Sequence, residues 1–225
     1  MSDIVPRILM FAIAIPSIVF HEVAHGYVAY RLGDPTAKSR GRLSLNPVKH
    51  IDPFGTVLLP LLLLAGGLPP FGYAKPVPIQ PAYFRDYRKG MLLTGLAGPA
   101  TNLVLAVIAG LSARAVELFM SFAGLGAGSI MEWIWLGCFL IAYFNLVLMF
   151  FNLIPIPPLD GSRVLPVFLS DEALHHYHRF ERYGIMVVFG ALLLLPQLFH
   201  IDIVGAYLSI TVDPLLYLLT GASFG

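Results

Sequence analysis

Between Ile8 and Phe20 the only polar side chain is Ser17, and this greasy run ends in His21-Glu22-Val23-Ala24-His25. A helix needs about 20 mostly apolar residues to cross the hydrocarbon core of a bilayer. Apolar segments recur along the chain at 4–30, 53–68, 91–119, 132–155, 184–199 and 203–220. That pattern constrains the fold more than any other feature. It points to an all-α polytopic membrane protein. The composition agrees, with 57% hydrophobic and only 12% charged residues among 225 and a mean hydropathy of +0.78. Soluble domains carry about 25% charged residues.

The polar stretches between these segments run to about 20 residues, too short for a separate folded domain. We therefore expect one membrane domain over 1–225, with a core over about 4–165 and a C-terminal helical hairpin over about 184–220. The first apolar run has a single Arg before it, runs long and lacks a small-residue cleavage pattern, so we expect it to be a span and not a cleaved signal peptide. The lone cysteine, Cys138, cannot form an internal disulfide. A net charge of +1 argues against nucleic acid as a partner.

Lys and Arg collect in loops 31–52, 69–90 and 161–183, whereas 120–131 has none. Cytoplasmic loops collect these residues. If segment 53–68 crossed the membrane, the two most basic loops would lie on opposite faces. If it dips in and returns, all three basic loops share one face. The segment is short, is broken by Pro60 and ends in Gly66-Gly67-Leu68-Pro69-Pro70, which favours the second arrangement. The expectation is about five transmembrane helices plus one re-entrant segment. "GRLSLNP" (41–47) and "GYAKPVPI" (72–79) alternate residue types around Pro and Gly, and read as short membrane-associated β-strands.

On a helix His21 and His25 lie four residues apart and share a face, so both imidazoles can reach one metal ion. Glu22 stands beside the first, where it can take a proton from a water on that metal. This is the arithmetic of HExxH. Three ionisable groups in five residues are expensive in lipid and mark a functional site. At about 1.5 Å per residue, Ile4 to Phe20 rise about 26 Å, which puts HEVAH inside the membrane near the face of loop 31–52. A catalytic zinc takes three protein ligands and keeps one position open. The third can come from "FNLIPIPPLDG" (151–161), where Asp160 closes an apolar run on that same face. Pro155, Pro157 and Pro158 stop the helix there, and Gly161 permits a turn. Asp160 also suits a plain loop start.

HEVAH followed by N-x-x-P-x-P-x-x-D-G, met by Asn152, Pro155, Pro157, Asp160 and Gly161, resembles the site-2 protease family of intramembrane zinc metalloproteases. "GPATN" (98–102) resembles the family's element on the intervening helix, and "GYAKPV" (72–77) its membrane-associated strand. "NPVKHIDPFGT" (46–56) looks like the compact bacterial branch without a PDZ domain. The resemblance implies one Zn2+ per chain, held by His21, His25 and Asp160, with Glu22 as general base and then proton donor. It makes Asn102 and Asn152 candidates for substrate positioning or oxyanion stabilisation, although each also suits interhelical hydrogen bonding. It implies a transmembrane protein substrate, such as a membrane-anchored regulator or a signal-peptide remnant. It also implies residence in the bacterial cytoplasmic membrane with the active site toward the cytoplasm. Gly72, Tyr73, Ala74 and Lys75 are the candidates for pairing with an unwound substrate by β-addition.

Two further features have plainer readings. "HHYHRFERY" (175–183) offers His175 and His178 at i, i+3, but reads first as an interfacial amphipathic helix. His50 in "KHIDP" could touch the mouth of the site, but reads first as an interfacial residue. A transporter would also carry buried carboxylates and broken helices. Against it, the chain has no inverted repeat and gathers its polar chemistry at one depth. An intact Glu22 argues against a catalytically silent scaffold.

Overall fold

A computed structural model describes residues 4–67, 72–124 and 128–223. Helix α1 (Ile4–Arg31) runs through the whole HEVAH segment despite Pro16. A short α2 (Thr36–Ser39) follows, then a 3-10 turn at Pro47–His50. Asp52 caps the next helical piece by accepting from the amides of Phe54 and Gly55. That piece is a π-turn leading into α3 (Leu59–Ala65). At about 1.5 Å per residue, Pro53–Ala65 rises about 20 Å, short of the roughly 30 Å core of a bilayer.

The chain then comes back alongside its own entry. Tyr73 N–H donates to Gly55 O at 3.1 Å and Lys75 N–H to His50 O at 2.9 Å. The exit of this segment therefore lies beside its entrance. The turn itself, Leu68-Pro69-Pro70, lies outside the described residues.

Residues 72–80 run extended, but no strand forms among the described residues, here or at 41–47. The reason is local. Pro76 and Pro78 have no N–H, so a ladder cannot continue past Lys75. The alternation in the sequence is real, yet it yields an extended segment rather than a sheet.

Asp86 caps α4 (Tyr87–Ala123), accepting from Lys89 N, and Gly124 ends it in the left-handed region at φ 64°. This is a 37-residue helix, longer at both ends than its apolar run of 91–119. Helix α5 (Ile130–Leu153) returns. After it come α6 (Gly161–Val164) and α7 (Asp171–Glu181). α7 leaves His175 and His176 exposed, and the His178 side chain lies outside what is described. The C-terminal segment holds α8 (Gly184–Phe189) and α9 (Leu195–Phe199) joined by a π-turn, then α10 (Ile203–Thr220).

Four described helices are long and apolar enough to cross a membrane: α1 over Ala12–Arg31, α4, α5 and α10. The reading of five counted 184–199 as a span. In the structure Gly184–Phe199 is one of the shorter apolar pieces. It rises about 24 Å and is interrupted by the π-turn.

The core lies where α1, α4, α5 and α10 meet, around Ile13, Ala106, Phe139, Leu146, Val212 and Leu216. Lipid gives no hydrophobic drive between helices, so close packing of small residues holds them. Ala106, Ala109, Gly110 and Ala113 make that stripe on α4. A Cβ on Gly110 would stand 2.7 Å from Leu219 Cβ of α10. Gly110→Val should therefore wedge α10 from α4 and lower stability by about 1–3 kcal/mol, read as a lower thermal unfolding midpoint in detergent.

Candidate active site

Hydrogen bonds between the helices set their directions. His25 of α1 meets Thr94 near the start of α4, while His21 meets Asn102 further along. α1 and α4 are therefore antiparallel. Ser17 of α1 meets Asn145 of α5, and Asp160 just beyond α5 meets both histidines. α5 thus runs parallel to α1. The ends of α1 and α5 and the start of α4 share one end of the bundle, so the chain after α1, before α4 and after α5 lies there.

At that end His21, His25 and Asp160 bring one donor atom each to a common point. His21 Nε2 is 2.9 Å from Asp160 Oδ2. His25 Nε2 is 3.0 Å from that oxygen and 3.0 Å from His21 Nε2. All three residues are buried. Among the described residues this is the one group of three or more such side chains able to hold a metal ion. The pair His175 and His176 belongs to no such group.

The outer ring atoms settle what the inner ones offer. His25 Nδ1 lies 2.6 Å from the carbonyl oxygen of Thr94, which can only accept, so Nδ1 carries the proton. His21 Nδ1 lies 2.5 Å from Asn102 Oδ1. The orientation of that amide follows from its neighbours. Asn145 Nδ2 donates to the Ile141 carbonyl at 2.8 Å and to Ser17 Oγ at 3.0 Å. Its Oδ1 then accepts from Asn102 Nδ2 at 2.7 Å, which turns Asn102 Oδ1 toward His21. Both imidazoles are thereby protonated on Nδ1 and present a lone pair on Nε2. Two lone pairs and a carboxylate oxygen about 3 Å apart repel one another unless a cation sits among them. This donor set fits zinc, which takes imidazole nitrogen and carboxylate oxygen.

Glycines make the approach possible. A Cβ on Gly98 of α4 would overlap the His21 and His25 rings. The conspicuous Gly98 of the "GPATN" motif therefore serves by leaving room. On Gly161 a Cβ would collide with the Leu153 and Ile154 carbonyls, so the loop carrying Asp160 could not fold under the end of α5. Arg163 Nη1 stands 3.4 Å from Asp160 Oδ1, leaving Oδ2 to the histidines.

A cavity of about 400 Å3 opens beside this cluster. His21, Glu22, His25, Asn152 and Asp160 line it, with Tyr73, Leu148, Phe151, Val188 and Phe189 supplying apolar walls. Glu22 Oε2 accepts from the Val77 amide at 2.9 Å. Asn152 reaches the cavity while its Nδ2 donates to Leu148 O of its own helix. Gly72, Tyr73 and Ala74 form part of the wall, and Lys75 is tied back to His50. Asn102 is different. It is fully buried behind His21 and does not line the cavity, so the position open to it is that of a ring holder.

Sequence reasoning missed Asn145, Ser17 and Thr94, which complete the polar chain behind the histidines. Asn145 is a single polar residue in an apolar helix and carries no periodic signal. His50 was read as interfacial. It is buried instead, with Nε2 2.8 Å from Ser44 O.

This arrangement defines a class: a polytopic membrane protein with a buried cluster of two histidines and one aspartate able to hold a metal ion. The sequence matches peptidase family M50 over residues 8–195. It is 40% identical over 178 residues to a Bacillus subtilis protein named "Putative zinc metalloprotease YwhC", covering 77% of this chain and 74% of that one. It is 33% identical over 192 residues to Rip2 of Mycolicibacterium smegmatis, described in the same words, covering 85% and 68%. Rip2 of Mycobacterium tuberculosis H37Rv is 32% identical over 179 residues, covering 78% and 64%. No solved structure matches the chain. The chain belongs to peptidase family M50, the site-2 proteases, and is a membrane zinc metalloprotease.

The polar chain generates a prediction about stability. Asn145→Leu leaves the Asn102 amide group buried without its acceptor, which should cost about 1–3 kcal/mol. Ser17→Ala, at the far end of the chain, removes one of the two acceptors of the buried Asn145 amide group and should also cost about 1–3 kcal/mol. Equilibrium unfolding in mixed micelles measures both.

Proposed function

We propose that this protein cleaves peptide bonds within or near transmembrane segments of other membrane proteins. The convergence of two Nε2 lone pairs and one carboxylate oxygen at the wall of an apolar cavity carries this reading. One zinc ion per chain would be held by His21, His25 and Asp160. Bound there, zinc supplies a Lewis acid that makes water nucleophilic near neutral pH and polarises a carbonyl.

The remaining work belongs to the chain. Glu22, on the helix that carries both histidines, takes the proton from the attacking water and delivers it to the leaving amine. Asn102 holds the His21 ring through Nδ1, and the Thr94 carbonyl holds His25 in the same way. Partners of this kind keep ligand rings in one tautomer and orientation. Asn152 lines the cavity wall, and its amide would stabilise charge on the substrate carbonyl oxygen. The apolar walls suit the side chains of a membrane segment, and burial excludes bulk water.

A helix hides its peptide bonds, so the substrate must unwind locally before attack. Gly72–Lys75 offers an extended edge for it. Tyr73 and Lys75 turn their amides toward Gly55 and His50. Among the described residues the Ala74 amide and carbonyl have no partner, and they supply the pairing groups. Membrane-anchored regulators and signal-peptide remnants are the substrate classes this chemistry serves. The basic loops at the active-site end support an orientation in the bacterial cytoplasmic membrane with the site toward the cytoplasm. The whole of 1–225 acts as one domain, with the 184–220 hairpin flanking the cavity through Ile185, Val188 and Phe189.

The test is zinc content together with cleavage of a model transmembrane substrate in detergent. Wild type should bind about one zinc per chain and cleave. Glu22→Gln should keep the metal and lose cleavage, and Asp160→Ala should lose both. Asn102→Ala should weaken zinc binding by about 10- to 100-fold in a chelator competition. Wild type without zinc would defeat the reading.

A further inference from the structure

The extended segment 72–80 is not held by a ladder, yet it is pinned at several points by side chains from the α1 end of the fold. Arg42, itself buried, donates through Nη2 to Lys75 O at 2.6 Å and to Pro76 O at 3.4 Å. Asp34 is fully buried in the turn after α1. It accepts from Gln80 N at 2.6 Å through Oδ2, and from Thr36 N at 2.9 Å through Oδ1. Between these anchors lies Val77, whose amide donates to Glu22 Oε2.

Two sequence features single out that amide. Val77 is flanked by Pro76 and Pro78, neither of which has an N–H. It is the one amide from 76 to 78. Its side chain is buried, and the room for it is made by Gly26. A Cβ on Gly26 would stand 2.7 Å from Val77 Cγ1, 2.8 Å from Leu43 Cδ2 and 3.1 Å from Ala37 Cβ. Gly26 lies four residues after Glu22, on the same face of α1. One face of α1 thus carries the carboxylate, and one turn on it carries the slot that seats the residue whose amide grips it.

We propose that Val77, seated against Gly26 and fixed from both sides by Arg42 and Asp34, positions the Glu22 carboxylate for proton transfer. The amide holds Oε2 of a side chain that lines the cavity. Val77, Gly26, Arg42 and Asp34 are positioning residues, since they act through Glu22. The inference rests on the reading of Glu22 as the general base. It gives segment 72–80 a second role beside pairing with substrate, and the two roles separate kinetically. Loss of substrate pairing raises KM, whereas misplacing the base lowers kcat.

Three variants test it. Val77→Pro removes the amide hydrogen in a segment already rich in proline. Val77→Ala keeps that hydrogen and trims the side chain. Gly26→Ala fills the slot while raising the helix propensity of α1. In Val77→Pro and in Gly26→Ala, kcat on a model transmembrane substrate should fall about tenfold or more. KM should stay within about twofold, and zinc content should equal wild type. In Val77→Ala, kcat should drop less than in Val77→Pro.

Hydrogen exchange supplies a readout independent of turnover. The Val77 amide should exchange slowly in wild type and rapidly in Glu22→Ala. Wild-type kcat in both Val77→Pro and Gly26→Ala, a loss confined to KM, loss of zinc in both, or unchanged exchange in Glu22→Ala would each overturn the proposal. Cleavage by Glu22→Gln would instead remove the base assignment, and this inference with it. An inactive Glu22→Gln beside fully active Val77→Pro and Gly26→Ala would sink the inference alone.

Discussion

Two imidazole nitrogens and a carboxylate oxygen, buried within about 3 Å of one another, set the terms for the rest of the molecule. In a medium of low dielectric such a set is stable only with a cation and only if every remaining polar atom is satisfied. The structure meets the second condition atom by atom. His25 spends Nδ1 on a backbone carbonyl, and His21 spends it on Asn102, whose amide is oriented by Asn145. Asn145 in turn is fixed by its own helix and by Ser17. The chain ends on α1 only four residues from where it began, so it ties α1, α4 and α5 into one unit around the site.

That closure needs short distances between helices, which explains the composition of α4. Gly98 leaves space for two rings, Gly95 for Arg163 and the Asp160 backbone, and Gly110 for Leu219. Each glycine lowers helix propensity. In a bundle held by close packing rather than by water exclusion, the lost propensity is offset by contact. Fold and site therefore draw on the same small residues. A helix able to pack against α10 at one end is also able to receive the histidines near the other.

How much of this was legible in the sequence depended on the range of the interaction. His21, Glu22 and His25 declare themselves, because a helix converts a spacing of four into a shared face. Asp160 was legible through depth, since an acidic residue closing an apolar run can sit only near the membrane face. Asn145 was not. Its partners Asn102 and Ser17 are 43 and 128 residues away, and one polar residue in a hydrophobic helix has no pattern to betray it. Asn102 was noticed for its motif, but sequence could not tell the cavity side of His21 from the side behind it. The fifth span and the strands, which the described residues do not show, share a reason. Hydropathy and alternation report where apolar side chains lie, not whether a π-turn interrupts a helix or a proline removes the next ladder bond.

The proline-rich stretch 76–81 shows what that removal achieves. A regular edge strand would offer several equivalent amides and could slip in register. Here Pro76 and Pro78 leave a single amide between them, and side chains rather than a ladder fix the register. Those side chains come from α1 and the residues just after it: Glu22, Asp34 and Arg42. The element that carries the two histidines and the acid also dictates where the extended segment lies. A substrate paired along Ala74 would be placed relative to the two histidines through α1 and through the Gly55 and His50 carbonyls that hold Tyr73 and Lys75. Because α1, α4 and α5 are tied into one unit, motion confined to the C-terminal helices would leave the spacing between scissile bond, base and histidines unchanged.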